Sequence, residues 1–369
     1  MDFSKDFNRV SHGLLVQDLY DMHTPQWLLK IIVSKLTDRS MVISHKGSMS
    51  SPRSLPGGGP QGALLVGIMF MIKFNGAFLR PPIPRHVTGP ITKSTSKKVK
   101  FVDDGSVAVS LNLKLCLVPD PVQRQKPLTF QERNELILPK ENNLLQSYIS
   151  DTEQFAIENK MIINPKKTQV ICFNKTRKWN FPPVVQLASN KILECVTQVK
   201  LVGVIVTDDL KWIKNTEYIC DKAMTRIWVL RRMKNIGLEA EHIYDTYTKE
   251  IRSVLELAVP VWHSGLTKKL STDIERVQKI AFRIILGEDY GDYDIACTLL
   301  ETETLEMRRE RLCIKFSRKD IKKETSLFNV VSNPVRTRGK NRLVQEYKCN
   351  TKRFQNSSLP YLSKLLNSQ

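Results

Sequence analysis

Val99-Lys100-Phe101-Val102-Asp103-Asp104-Gly105-Ser106-Val107-Ala108-Val109-Ser110-Leu111 carries the strongest fold signal in the chain. Apolar residues run or alternate on both sides of Asp103-Asp104-Gly105. An Asp-Gly step between two β-rich runs predicts a hairpin with the acidic pair at its tip. Carboxylates held at a hairpin tip, joined by another from a strand end, suit hard divalent cations, which take oxygen ligands. Asp2, in Asp2-Phe3-Ser4-Lys5-Asp6-Phe7, is the candidate third carboxylate. Two Mg²⁺ ions about 3.5–4 Å apart activate an attacking hydroxyl and stabilise a leaving phosphate.

Between these acidic sites lies Leu55-Pro56-Gly57-Gly58-Gly59-Pro60-Gln61-Gly62, directly before the apolar run Ala63 to Ile72. Glycines there let the backbone approach a ligand closely, and N–H groups near a helix start suit phosphates. Upstream, Leu14, Leu15 and Leu19, then Trp27, Leu28, Ile31 and Ile32, fall at helical spacing on either side of Pro25. Residues 118–140, with four prolines, read as an inserted connection. A helix is expected from Glu141 to Asn159, and strands at Gln169–Phe173 and Gln198–Val206. From Thr216 the pattern turns helical. Ile219, Ala223, Ile227 and Leu230 share a face that ends at Gly237. A second stripe runs from Leu270 to Ile285, with a capping-box pattern at Thr272 and Glu275 and a stop at Gly287.

Of 369 residues, 41% are hydrophobic, enough for a sizeable core, so wholesale disorder is excluded. Lys and Arg number 57 against 37 Asp and Glu, a net charge of +20 that points to a polyanionic partner, of which nucleic acid is the commonest. Residues 308–353 alone carry 15 Lys/Arg against four acids, a net of +11. The longest apolar run is roughly half of what a spanning helix needs, so no membrane partner is expected. From the residues at the N-terminus no secretory signal is expected. Seven scattered cysteines fit neither a zinc ribbon nor a disulfide framework, and an intracellular location, nuclear or cytoplasmic, is expected.

Five ordered motifs make the sequence resemble the reverse transcriptases of non-LTR (LINE-like) retrotransposons. Asp2-Phe3-Ser4-Lys5-Asp6-Phe7-Asn8 looks like that family's first palm motif, and Gly59-Pro60-Gln61-Gly62 like its Gly-x-Pro-Gln-Gly motif. Phe101-Val102-Asp103-Asp104 matches the Tyr/Phe-x-Asp-Asp hairpin. Asn164-Pro165-Lys166-Lys167-Thr168 fits Asn-x-x-Lys-Thr, and Lys200-Leu201-Val202-Gly203-Val204 resembles the primer-grip region. Downstream, Val259-Pro260-Val261-Trp262-His263 and Glu275-Arg276-Val277-Gln278-Lys279 look like the helical segment that follows the palm.

The resemblance implies an α+β fold: a polymerase palm with an antiparallel sheet and backing helices, then a helical thumb and C-terminal region. Its divisions are a partial palm over 1–210, a thumb-like region over 211–300 and a basic C-terminal region over 301–369. It makes Asp2, Asp103 and Asp104 ligands of two Mg²⁺ ions (or Mn²⁺), and Lys167 the acid that protonates leaving pyrophosphate. Phe3, Phe7, Gln61 and Gly62 become nucleotide-site residues, with the Phe7 ring excluding a 2′-hydroxyl. Implied partners are an RNA template, a DNA primer and deoxynucleoside triphosphates. Only Met1 precedes Asp2, whereas the family has a fingers region there, so a truncated member with impaired activity is expected. The alternative is a noncatalytic nucleic-acid-binding remnant of a retrotransposon open reading frame. His12, Trp262 and His263 read as packing or hydrogen-bonding residues.

Overall fold

The computed structural model describes residues 10–55, 57–58, 72, 96–101, 104–109, 144–173, 185–323, 326–330 and 343–368. The chain is mixed α and β, and divides into two compact units, residues 1–197 and 198–369. Among the described residues every strand pairs with one other, so the sheets are all two-stranded. No described helix is long and apolar enough to cross a membrane.

In the first unit, α1 (His12–Asp21) and α2 (Gln26–Leu36) flank Pro25. Leu15 and Leu19 of α1 and Ile32 and Leu36 of α2 face one another at four-residue spacing. They close a small core with Ala156, Met161 and Ile163, contributed by α3 (Leu144–Glu158) and the turn after it. Each such side chain, fully buried, stabilises the fold by about 1.5–3 kcal/mol. Trp27 and Ile31, which share the helical spacing, instead stand 65% and 49% exposed. A two-helix layer has room to bury only one narrow stripe of α2. Between α2 and the glycine loop, β1 (Ser40–Met41) pairs with β4 (Arg53–Ser54), and β2 (Ser44–His45) with β3 (Ser48–Met49), both antiparallel.

The hairpin expected around the acidic pair is present as β5 (Ser96–Phe101) and β6 (Asp104–Val109), but its register corrects the reading of the tip. Phe101 pairs with Asp104 and Lys100 with Gly105, so Asp104-Gly105 opens the second strand rather than forming the turn. Residues 102 and 103 lie outside the described residues. After α3, which begins and ends close to the expected bounds, the strand at 169–173 shortens to β7 (Val170–Ile171), parallel to β8 (Cys195–Val196). The inserted connection at 118–140 lies outside the described residues.

The second unit starts with a further correction. The single strand expected over 198–206 is a hairpin, β9 (Gln198–Leu201) against β10 (Val204–Thr207). Its two-residue turn holds Val202 at φ 45° and Gly203 at φ 85°, the positive pair that a type I′ turn demands. The helical series follows as α4 (Ile213–Asn235), α5 (Ala240–Thr246), α6 (Lys268–Leu286), α7 (Tyr293–Leu299), α8 (Leu305–Asp320) and α9 (Ser358–Asn367).

The α4 stripe read from the sequence, Ile219, Ala223, Ile227 and Leu230, is buried, as are Leu270, Ile274, Val277, Ala281 and Ile285 of the α6 stripe, whose Ile280 and Ile284 are only partly buried. Gly237, at φ 79°, ends α4 in a Schellman motif, with its N–H on the Lys234 carbonyl and the Leu238 N–H on that of Met233. Gly287 closes α6, where the Lys234 ammonium also reaches the Ile285 carbonyl at 2.9 Å. The expected capping box is not formed. Thr267 is the N-cap, accepting from the Leu270 N–H at 3.3 Å, while Thr272 lies inside the helix and returns its hydroxyl to the Lys268 carbonyl.

The basic C-terminal stretch is not a loose tail over its described part. Arg309, Cys313 and Ser317, four residues apart on α8, are fully buried. Cys313, Phe328, Val344, Leu362, Leu365 and Leu366 join the same core as Ile219 and Ile274, so the helices of 211–300 and of 301–369 share one interior.

Candidate functional site

Of the residues to which the resemblance assigns chemistry, Asp2, Phe3, Phe7, Gln61, Gly62 and Asp103 lie outside the described residues. Asp104 is placed by its backbone, opposite Phe101 at the turn end of β6. Lys167 is placed in full. α3 connects them within the first unit, since β6 lies against it and the turn carrying Lys167 follows it.

That turn shows why its residue types occur at their spacing. The Lys166 N–H donates to Asn164 Oδ1 at 3.1 Å, while the Lys167 and Thr168 N–H groups converge on the Asn164 carbonyl at 3.2 and 3.0 Å. Asparagine is the residue whose short amide mimics the backbone in this way. Ile163 before the turn and Thr168 after it are buried, so the turn is fastened at both ends and Lys167 is exposed at its crest. His12, read as a hydrogen-bonding residue, holds the Gly58 carbonyl through Nε2 at 2.7 Å, with Arg39 on the same oxygen at 3.3 Å. The glycine loop is therefore tied to the start of α1.

In the second unit, the β9–β10 hairpin is fixed onto α4. The Ile205 N–H donates to Asn215 Oδ1 at 3.0 Å, and Lys200 Nζ to Tyr218 Oη at 2.8 Å. The Lys200 and Lys222 ammoniums lie 4.6 and 5.9 Å from the Tyr218 ring centre. The Lys200 hydrogen bond, outweighing slight desolvation and aided by both positive charges, draws the Tyr218 phenol below its usual pKa. Sequence reading missed Tyr218. Its signal was its place six residues after Trp212 of Leu210-Lys211-Trp212, beside the α4 stripe.

The two downstream segments are structural. Trp262 is fully buried and donates to the Leu257 carbonyl at 2.8 Å. His263 is pushed down to about 4, by burial first and then by the Arg309 charge. Glu275 and Gln278, three apart on α6, both turn inward. Glu275 Oε2 accepts from the Tyr293 hydroxyl and, at 3.2 Å, from the Leu305 N–H. Its Oε1 lies 3.6 Å from Nη1 of the buried Arg309, whose Nη2 donates to Ser271 Oγ at 2.6 Å. Gln278 accepts from the Tyr247 hydroxyl at 2.5 Å and donates to Tyr293 Oη at 2.8 Å. This network ties α6 to α7 and α8, and its polar residues specify how those helices meet.

Among the described residues no group of three His, Cys, Asp or Glu is placed to hold a metal ion, and the expected ligands Asp2 and Asp103 lie outside them. The implied donor set, three carboxylates, is the hard-oxygen chemistry that suits Mg²⁺. No protein-family model matches the chain, and no curated protein matches it.

Proposed function

We propose that this chain is an RNA-directed DNA polymerase of the non-LTR retrotransposon kind, in which residues 1–210 form a palm and the helices after them a thumb. The observation that carries the reading is the ordered motif series, in which Phe101-Val102-Asp103-Asp104 coincides with an antiparallel hairpin whose strands close at the pair Phe101–Asp104. Two further motifs coincide with tight local structures: the Asn164 turn that presents Lys167, and the Val202-Gly203 turn of β9–β10. The +20 charge suits a nucleic-acid partner.

In this reading Asp2, Asp103 and Asp104 hold the divalent cations, which when bound supply neutralisation of phosphate charge. Gln61 and Gly62 seat the incoming nucleotide, and Phe7 excludes a 2′-hydroxyl. Lys167, exposed on a turn held by Asn164, gives a proton to the departing pyrophosphate. The remaining barrier falls by positioning of the primer 3′-hydroxyl in line with the bond that breaks.

The second reading, a noncatalytic nucleic-acid binder, is favoured by the net +11 of residues 308–353. Primer extension on an RNA template with Mg²⁺ separates the two. Only the polymerase loses synthesis in Asp103→Ala while keeping its salt-sensitive binding.

A further inference from the structure

The second unit carries a groove of about 1070 Å³ between the first halves of α4 and α6, and none of the residues assigned above to synthesis is in its lining. Its floor is apolar, formed by Val206, Trp212, Cys220, Leu270 and Val277. The Trp212 ring lies so close over Gly265 that a Cβ there would meet it at 2.6 Å, so the wall is built around a glycine. The rims are two helical stripes of equal length. Ile213, Glu217, Asp221 and Met224 form the α4 rim, and Lys269, Asp273, Arg276 and Ile280 the α6 rim. Each covers eleven residue steps, roughly 17 Å or three turns.

Three observations indicate what fits there. Thr216 lines the groove 98% buried (2% exposed), yet its hydroxyl has no hydrogen-bond partner. Elsewhere Thr152, Thr225, Thr272 and Thr298 return theirs to the carbonyl four residues back. Leu210, Ile213, Met224 and Val261 stand 38–45% exposed on the lips, where a small molecule lodged on the floor leaves them in water. A partner large enough to cover both lips is needed. The rims also differ in charge: the α4 rim carries only carboxylates, and the α6 rim carries two cations with one carboxylate, Asp273. Glu217 and Asp221 lie on one side, and Lys269 and Arg276 on the other have no carboxylate within 4 Å among the described residues. The whole lining sets Lys211, Lys269, Arg276 and Arg353 against Glu217, Asp221 and Asp273, a mixture of signs, whereas a phosphate-binding surface is predominantly basic.

We propose that this groove docks an amphipathic helix of a partner protein, with its apolar stripe on the floor, a basic flank along Glu217 and Asp221, and an acidic flank along Lys269 and Arg276. This is helix-in-groove recognition, in which the apolar stripe supplies affinity and the flanks set orientation. Docking in this groove is independent of synthesis, and peptide binding measures it without polymerisation.

The test uses the full chain and two fluorescent helical peptides of about 18 residues with the same leucine stripe. One has lysines on one flank and glutamates on the other; its counterpart has glutamates on both. Fluorescence anisotropy is expected to show the mixed-flank peptide binding about tenfold tighter. Glu217→Lys/Asp221→Lys, a pair of surface changes checked for helicity by circular dichroism, is expected to reverse that preference. Thr216→Val is expected to keep the preference and shift affinity alone. Equal binding of both peptides, or a preference unmoved in the double variant, overturns the proposal. It is also overturned if the chain sediments as a dimer that Met224→Asp dissociates, if sodium decanoate fills the groove while neither peptide binds, or if an RNA–DNA duplex displaces the peptide.

Discussion

Lys200 on β9 donates its ammonium to the Tyr218 hydroxyl on α4 at 2.8 Å, joining the hairpin that resembles a primer grip to the first long helix of the second unit. Because this contact and the nearby charge of Lys222 favour the phenolate, Tyr218 titrates below an ordinary tyrosine. In Lys200→Met, tyrosinate absorbance is expected to show one phenol moving up towards about pH 10. An unchanged titration curve in the variant contradicts the pairing.

The same hairpin offers a stability test at its turn. Val202 sits at φ 45°, where a β-branched side chain is strained, and asparagine is at ease. Val202→Asn is expected to raise stability by about 0.5–1 kcal/mol in urea denaturation. Gly203→Ala, at φ 85° and with its Cβ 2.9 Å from the Leu257 side chain, is expected to cost about 1–3 kcal/mol.

Arg309 and Glu275 set the third expectation. Arg309→Met leaves the Glu275 carboxylate nearly buried beside Tyr293 with no cation, which is expected to cost about 3–5 kcal/mol in urea denaturation. Adding Glu275→Gln removes the stranded charge, so the double variant is expected to recover at least about 1 kcal/mol. A double variant weaker than the sum of its parts contradicts the arrangement.

His263 makes stability depend on acid. Its folded pKa, about 4, lies below the usual value of 6.5, so the folded chain binds this proton more weakly than the unfolded chain does. The associated stability is complete above pH 6.5 and is lost as pH falls towards 4. Discounted for partial exposure, it amounts to about 2 kcal/mol. In His263→Gln, the loss of denaturation midpoint across that window is expected to shrink. An identical slope in both proteins rules out His263 as the group responsible.

Periodicity made the helices of the second unit legible, because the stripes of α4 and α6 are long and their ends carry Gly237 and Gly287. It failed where one residue changed the geometry. Gly203 reads as part of an apolar run, yet its positive φ folds that run into two strands. The capping box failed because Thr267, five residues earlier, is the cap and already accepts the Leu270 N–H, freeing Glu275 for Arg309. At the site, the Asn164 turn was legible because asparagine folds its own backbone. The Tyr218 contact was hidden, because no local pattern announces that residues 200 and 218 meet. The groove was hidden likewise, since its two rims, ending at Met224 and beginning at Lys269, are more than 40 residues apart in sequence.

Synthesis itself is read by incorporation of labelled dTTP on oligo(dT)-primed poly(rA) with Mg²⁺. Template-dependent incorporation is expected of the wild-type chain, with a loss of at least about a hundredfold in Asp103→Ala, equivalent to about 2.7 kcal/mol of transition-state stabilisation, and template binding unchanged. Binding by both proteins with no incorporation by either contradicts it and leaves a nucleic-acid binder.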